Sequence, residues 1–177
     1  LSQPLVDRLS ALVSLPADAE HPSAASRKNV EDIYPLSPMQ EGMLFHTVYG
    51  EGEGVYVAQL DWSARGQFDL GAFERAFQRV VDRHAILRSI FVWEGLERPL
   101  QVVCKRATIT VERHDLRSSS REAQAERLRS FGLEDRKRDF DLARAPLMRV
   151  TVFQLADELY RCFFSSHHIL LDGWSMS

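Results

Sequence analysis

Tyr160-Arg161-Cys162-Phe163-Phe164-Ser165-Ser166-His167-His168-Ile169-Leu170-Leu171-Asp172-Gly173 runs from an apolar, aromatic segment into two adjacent histidines and then an Asp-Gly pair. Its first part, 159–165, reads as a β-strand. The turn Ala156-Asp157-Glu158 joins it to a second strand over 147–155. If the strand continues into the histidines, His167 and His168 point to opposite sides and cannot share a role. One of them faces inward to hydrogen-bond the scaffold, and the other can face a cavity. Asp172 lies far enough along to fold back and fix an imidazole or the loop itself. Gly173 lets backbone and ligand approach closely.

On spacing alone two readings stand: a pair of satisfied core histidines, or a general base beside a strand end. A metal site from His168 and Asp172 lacks a third ligand within reach. Ser165, Ser166 and Ser175 lie close by, but none sits in a nucleophile-elbow sequence.

Working outward, the chain alternates helical and strand patterns. Residues 1–16 suggest an amphipathic helix with Leu5, Leu9, Leu12 and Val13 on one side, ended by Pro16, and 17–30 read as a linker. A globular region starts near Val30. Ser37 with Pro38 is a favoured helix start, and that helix carries Met39, Met43, Leu44 and Thr47. Gly50-Glu51-Gly52-Glu53-Gly54 reads as a turn, because two carboxylates and no following Lys-Ser/Thr rule out a phosphate cradle. Tyr56, Ala58, Leu60, Trp62 and Ala64 alternate with polar neighbours as a strand does. Asp69 caps a helix predicted over 70–87, with Phe73, Phe77, Val80, Val81, His84 and Leu87 at helical spacing. Strands are predicted over 89–93, 100–103 and 108–112, and a surface helix over 120–138. The charges Glu134 to Arg138 read as a solvated mixed-charge face of that helix. This order predicts a mixed α/β unit with a largely antiparallel sheet.

The bulk numbers exclude several classes. Of 177 residues, 45% are hydrophobic and 27% charged, an ordinary globular balance. A formal charge of -3 argues against a nucleic-acid surface. No apolar run approaches a membrane span of roughly 20 residues, and no signal peptide opens the chain. Cys104 and Cys162, without CxxC spacing, read as buried reduced thiols, which fits a cytoplasmic location.

At His167-His168-x-x-x-Asp172-Gly173 a resemblance becomes specific. The pattern is similar to the signature of the condensation-domain superfamily, which includes chloramphenicol acetyltransferase-like acyltransferases. Tyr34-Pro35-Leu36-Ser37-Pro38-Met39-Gln40-Glu41-Gly42-Met43-Leu44-Phe45-His46 resembles the first core motif of condensation domains in nonribosomal peptide synthetases. Arg83-His84-Ala85-Ile86-Leu87-Arg88-Ser89-Ile90-Phe91 resembles the second. Phe140-Asp141-Leu142, followed by Pro146-Leu147, resembles the stretch that leads into the histidine strand.

The resemblance implies a chloramphenicol acetyltransferase-like α/β lobe, a mixed, largely antiparallel sheet with flanking helices. It would be the first half of a two-lobed, V-shaped domain with a tunnel between the lobes. Residues 1–29 are then an interdomain linker or the tail of an upstream domain, and 30–177 the N-terminal lobe, the C-terminal lobe being absent. The chain opens on Leu1 rather than Met, and 174–177 begin an element that does not complete; alone, the chain is expected to be inactive.

The implied activity is peptide-bond formation by acyl transfer. Upstream and downstream peptidyl carrier proteins present thioesters on phosphopantetheine arms, with no cofactor or metal bound by the domain itself. His168 is implied as catalytic. His167, Asp172 and Gly173 support it, and Asp172 is expected to pair with an arginine of the other lobe. Arg88 and His84 read as structural. An amine of pKa roughly 8 is already partly neutral at cytosolic pH, and an ordinary imidazole suits the proton it releases.

The first motif looks most like domains that follow an epimerization domain and take a D-configured donor, with an adenylation domain downstream. A heterocyclization domain would have Asp in place of the histidines. The alternatives are an inactive carrier-docking domain of the same fold, an epimerization domain, or an acyltransferase making esters or acetylated products.

Overall fold

The computed structural model describes residues 29–50 and 54–171. The helix expected over 1–16 and nearly all of the linker expected after it lie outside these residues, as do Asp172 and Gly173.

The described strands form two sheets, and the histidine strand lies in one of them. β7 (Leu159–His167) sits inside a four-stranded sheet ordered β2 (Val57–Arg65), β7, β6 (Met148–Ala156) and β5 (Val111–Asp115). β2 and β6 both run antiparallel to β7, whereas β5 runs parallel to β6. The second sheet has three antiparallel strands ordered β1 (Val30–Pro35), β4 (Leu100–Cys104) and β3 (Ser89–Val92). Three helices complete the described fold: α1 (Pro38–Tyr49), α2 (Leu70–Arg83) and α3 (Arg121–Lys137).

β6 and β7 lack clean alternation because both their faces are covered, so residues of either parity are buried. One face, with Val150, Val152, Tyr160 and Cys162, joins the main core, which also takes in Val81 of α2 and Phe91 of β3. On the other face Phe153 and Phe163 meet Phe131 of α3, with ring centroids 4.9 and 5.0 Å from Phe131. β2 keeps its alternation of facing but not of burial. It is the outer strand of its sheet among the described residues, and Leu60 is 54% exposed.

The helix starts follow their caps. The Ser37 side chain accepts from the Gln40 N–H while the Gln40 side chain accepts from the Ser37 N–H, a reciprocal capping box with Pro38 at the first helical position. Asp69 caps α2 and Ser120 caps α3.

Two expected element boundaries differ in the structure. The helix predicted to run to 87 ends at Arg83, and Ala85–Arg88 form a 3-10 turn. Arg88 causes the break: its buried guanidinium turns back to the Val81 carbonyl at 3.2 Å and also binds Glu31 and the Cys104 carbonyl. The strand predicted over 108–112 pairs only from Val111 onward. Before that, Gln78 of α2 takes the backbone, donating to the Ala107 carbonyl and accepting from the Ile109 N–H. β1 carried no sequence signal, since its exposed Glu31 and Asp32 break any apolar alternation.

Candidate functional site

β7 delivers the histidines to one end of the four-stranded sheet. His167 is its last residue, opposite Val57 of β2, and its N–H donates to the Leu147 carbonyl. His168 steps off the strand with its N–H on the Tyr56 carbonyl at 2.8 Å, and a turn closes from the Leu170 N–H to the His167 carbonyl.

The two side chains then part. His167 is 1% exposed. Its Nδ1 accepts from the Ile169 N–H at 3.1 Å, so in the neutral ring the proton sits on Nε2. Nε2 faces Thr47 Oγ1 at 3.2 Å. The Thr47 hydroxyl in turn donates to the Met43 carbonyl at 2.8 Å, which leaves its oxygen free to accept from Nε2. Tyr56 and the edge of Phe140 pack against the ring, and the Arg149 guanidinium lies 4.2 Å over Phe140. His168 is exposed. One ring is thus buried and the other exposed, as expected of two adjacent histidines facing different ways. Sequence reasoning did not find that α1 supplies the partner of the buried ring.

Burial pushes the His167 pKa down to about 4; the charge of Asp139 opposes this slightly, and His168 adds to it. The unfolded imidazole takes up a proton near 6.5 and the folded one does not. Stability is therefore full above about pH 6.5 and lost as pH falls toward about 4, by about 3 kcal/mol in all. Urea midpoints of the wild type and His167→Gln between pH 7.5 and 4.5 should show this slope in the wild type and not in the variant. Equal slopes would mean that burial does not lower the pKa of His167 in the fold.

Beneath the strand lies a second polar cluster. Asp135 of α3 accepts from Arg149 Nε at 2.6 Å, from Gln59 at 2.8 Å, and from Ser165. Burial would raise its pKa, but these donors outweigh burial and hold it below the ordinary carboxylate range. The face read as solvated is exposed at Glu134, Arg136, Lys137 and Arg138, yet it hides this buried carboxylate. Cys104 and Cys162 are free thiols, and burial raises both to about 11. Among the described residues no group of three or more His, Cys, Asp and Glu could hold a metal, and no helix is long and apolar enough to cross a membrane.

A family model described as "Condensation domain" matches residues 30–177. The chain belongs to the condensation-domain family. One of the linear gramicidin synthase proteins of Brevibacillus parabrevis is 50% identical over 149 residues, which is 84% of this chain and 2% of that protein. Tyrocidine synthase 2 of the same organism is 39% identical over 155 residues, 88% of this chain and 4% of that one. Surfactin synthase subunit 3 of Bacillus subtilis (strain 168) is 36% identical over 152 residues, 86% of this chain and 12% of that one. The chain thus spans a small fraction of the length of the curated relatives it matches.

Among solved structures, the first condensation domain of the calcium-dependent antibiotic synthetase, in complex with a substrate analogue, superposes with a TM-score of 0.71 at 22% identity. The match covers 82% of this chain and 35% of that one. The starter condensation domain of rhizomide synthetase gives a TM-score of 0.68 at 23% identity, covering 81% and 36%. This condensation domain therefore has the chloramphenicol acetyltransferase-like lobe that its motifs resemble.

Proposed function

We propose that the domain forms a peptide bond between two carrier-bound thioesters, with His168 beside the reacting amine and His167 as its scaffold. One observation carries this: of two adjacent histidines, one is buried with both ring nitrogens hydrogen-bonded, and the other is exposed at the strand end. The acceptor amine nitrogen attacks the carbonyl carbon of the donor thioester. A C–N bond forms and the C–S bond breaks. The proton shed by the nitrogen passes to the His168 imidazole and on to the departing phosphopantetheine sulfur. Upstream and downstream peptidyl carrier proteins supply the two arms. Asp172 and Gly173 are supporting residues in this reading, and a second lobe supplies the other wall of the site and an arginine for Asp172. An epimerization domain upstream and an adenylation domain downstream complete the proposed setting, in a cytoplasmic synthetase.

The test uses the complete domain with two loaded carriers, followed by the mass of each arm. Transfer of the donor acyl group onto the acceptor arm supports the reading. Binding without transfer would mean a docking domain, and inversion at the donor α-carbon without transfer an epimerization domain.

The donor is proposed to end in a D-configured residue, on the strength of Tyr34–His46 in the first motif. Matched D- and L-terminated donors on the same carrier should differ about tenfold or more in rate in favour of D, the discrimination of a site that positions its reactant. Equal rates, or a preference for L, would refute the D-donor reading and leave the family unchanged.

A further inference from the structure

α1, the helix of the first motif, meets the histidine loop at two points two turns apart. Gln40 and Thr47 are seven residues apart and so share a helix face, with Met43 and Leu44 between them on the same stripe. At one end Gln40 Nε2 donates to the Ile169 carbonyl at 3.4 Å and to Gln101 Oε1 at 3.0 Å, while its Oε1 closes the capping box. At the other end Thr47 meets His167 Nε2. Between these points the Ile169 N–H is spent on His167 Nδ1. Both residues flanking His168 are thus held by α1, and the backbone of His168 itself is held by Tyr56.

We propose that Thr47 is a positioning residue for condensation: it fixes His167 in the Nε2–H form and, with Gln40, clamps the loop from which His168 acts. The clamp works because the donor and acceptor roles around the ring are fixed by its neighbours. The Thr47 hydroxyl hydrogen is committed to Met43, so its oxygen can only accept. The other tautomer would set Nδ1–H against the Ile169 N–H and leave the buried Nε2 without a donor, and a ring flip would put carbon atoms where the two nitrogens now meet Ile169 and Thr47. The ring is locked in one orientation, and the turn that presents His168 is locked with it. Thr47 acts through His167 rather than on the reacting atoms.

This inference rests on His168 being the reacting group. In the complete domain, Thr47→Val keeps the side-chain shape and removes the acceptor. We expect kcat to fall about tenfold or more, the scale of misplacing a reacting group, with KM for the loaded acceptor carrier unchanged. Thr47→Ser should restore the rate. A Val variant within about twofold of wild type in kcat, or a Ser variant as slow as Val, would overturn the clamp. Histidine nitrogen NMR of the unsubstituted domain at neutral pH gives a second reading that does not depend on a variant folding. His167, assigned by its loss in His167→Gln, should show a protonated Nε2 and an unprotonated Nδ1; the reverse would overturn the proposal. If His168→Ala leaves the rate unchanged, the base reading fails, and the tautomer result still stands. If His168→Ala is slow and Thr47→Val is not, the clamp alone fails.

Discussion

Asp135→Asn should lower the stability of the fold by about 3–5 kcal/mol, seen as a fall in melting temperature on the order of 10 °C. The carboxylate side chain is 2% exposed and Arg149 16% exposed, with Nε and Oδ1 2.6 Å apart. Asparagine keeps the shape and removes the charge. Arg149 would then remain a half-buried cation whose guanidinium also binds the Asp135 and Arg138 carbonyls and covers Phe140, so it cannot swing out to water without loss. Gln59 and Ser165 would also lose a charged acceptor. The pair Glu126–Arg129 on the same helix is the contrast. Its side chains are 60% and 65% exposed, and removing it should cost no more than about 1 kcal/mol. Pairing Asp135→Leu with Arg149→Met should recover most of the loss, because the penalty lies in the orphaned charge rather than in the missing bond. A cost below about 1 kcal/mol for Asp135→Asn would show that the cluster is solvated.

The parts of this fold that were legible in the sequence are those governed by local chemistry. Ser37 and Asp69 start their helices where a capping side chain should. β6 and β7 stood out as apolar runs joined by a short turn. The illegible parts depend on partners distant in sequence. Nothing near Arg88 announces that its guanidinium reaches back to Val81 and breaks α2 early, or that Gln78 takes the backbone groups at 107 and 109. Asp135 sits among surface charges in sequence and under a sheet in space. In the candidate site, the expectation that the two histidines face different ways rested on the strand continuing through both, whereas the strand ends at His167 and the turn after it parts the rings. The partner of the buried ring stayed hidden 120 residues away, although Met43, Leu44 and Thr47 were already placed on that helix.

His168→Ala should slow condensation by roughly 10²-fold or more, the contribution of a positioned general base. The substitution is chosen for what it leaves alone. His168 is exposed, so its loss opens no core cavity, and its backbone bond to Tyr56 survives. His167, Thr47 and Ile169 keep their contacts with one another. What disappears is the imidazole that takes the proton as the C–N bond forms. Other parts of the rate, from holding two thioesters together, remain, so the expected loss is large but not total. The direct measurement is a single-turnover experiment on the complete domain: donor-loaded and acceptor-loaded carriers mixed rapidly, peptide on the acceptor arm quantified over time, and melting temperatures recorded for wild type and variant. The expected result is a rate lower by roughly 10²-fold or more at an unchanged melting temperature. A variant within about twofold of wild type, under conditions where chemistry limits the rate, would contradict it.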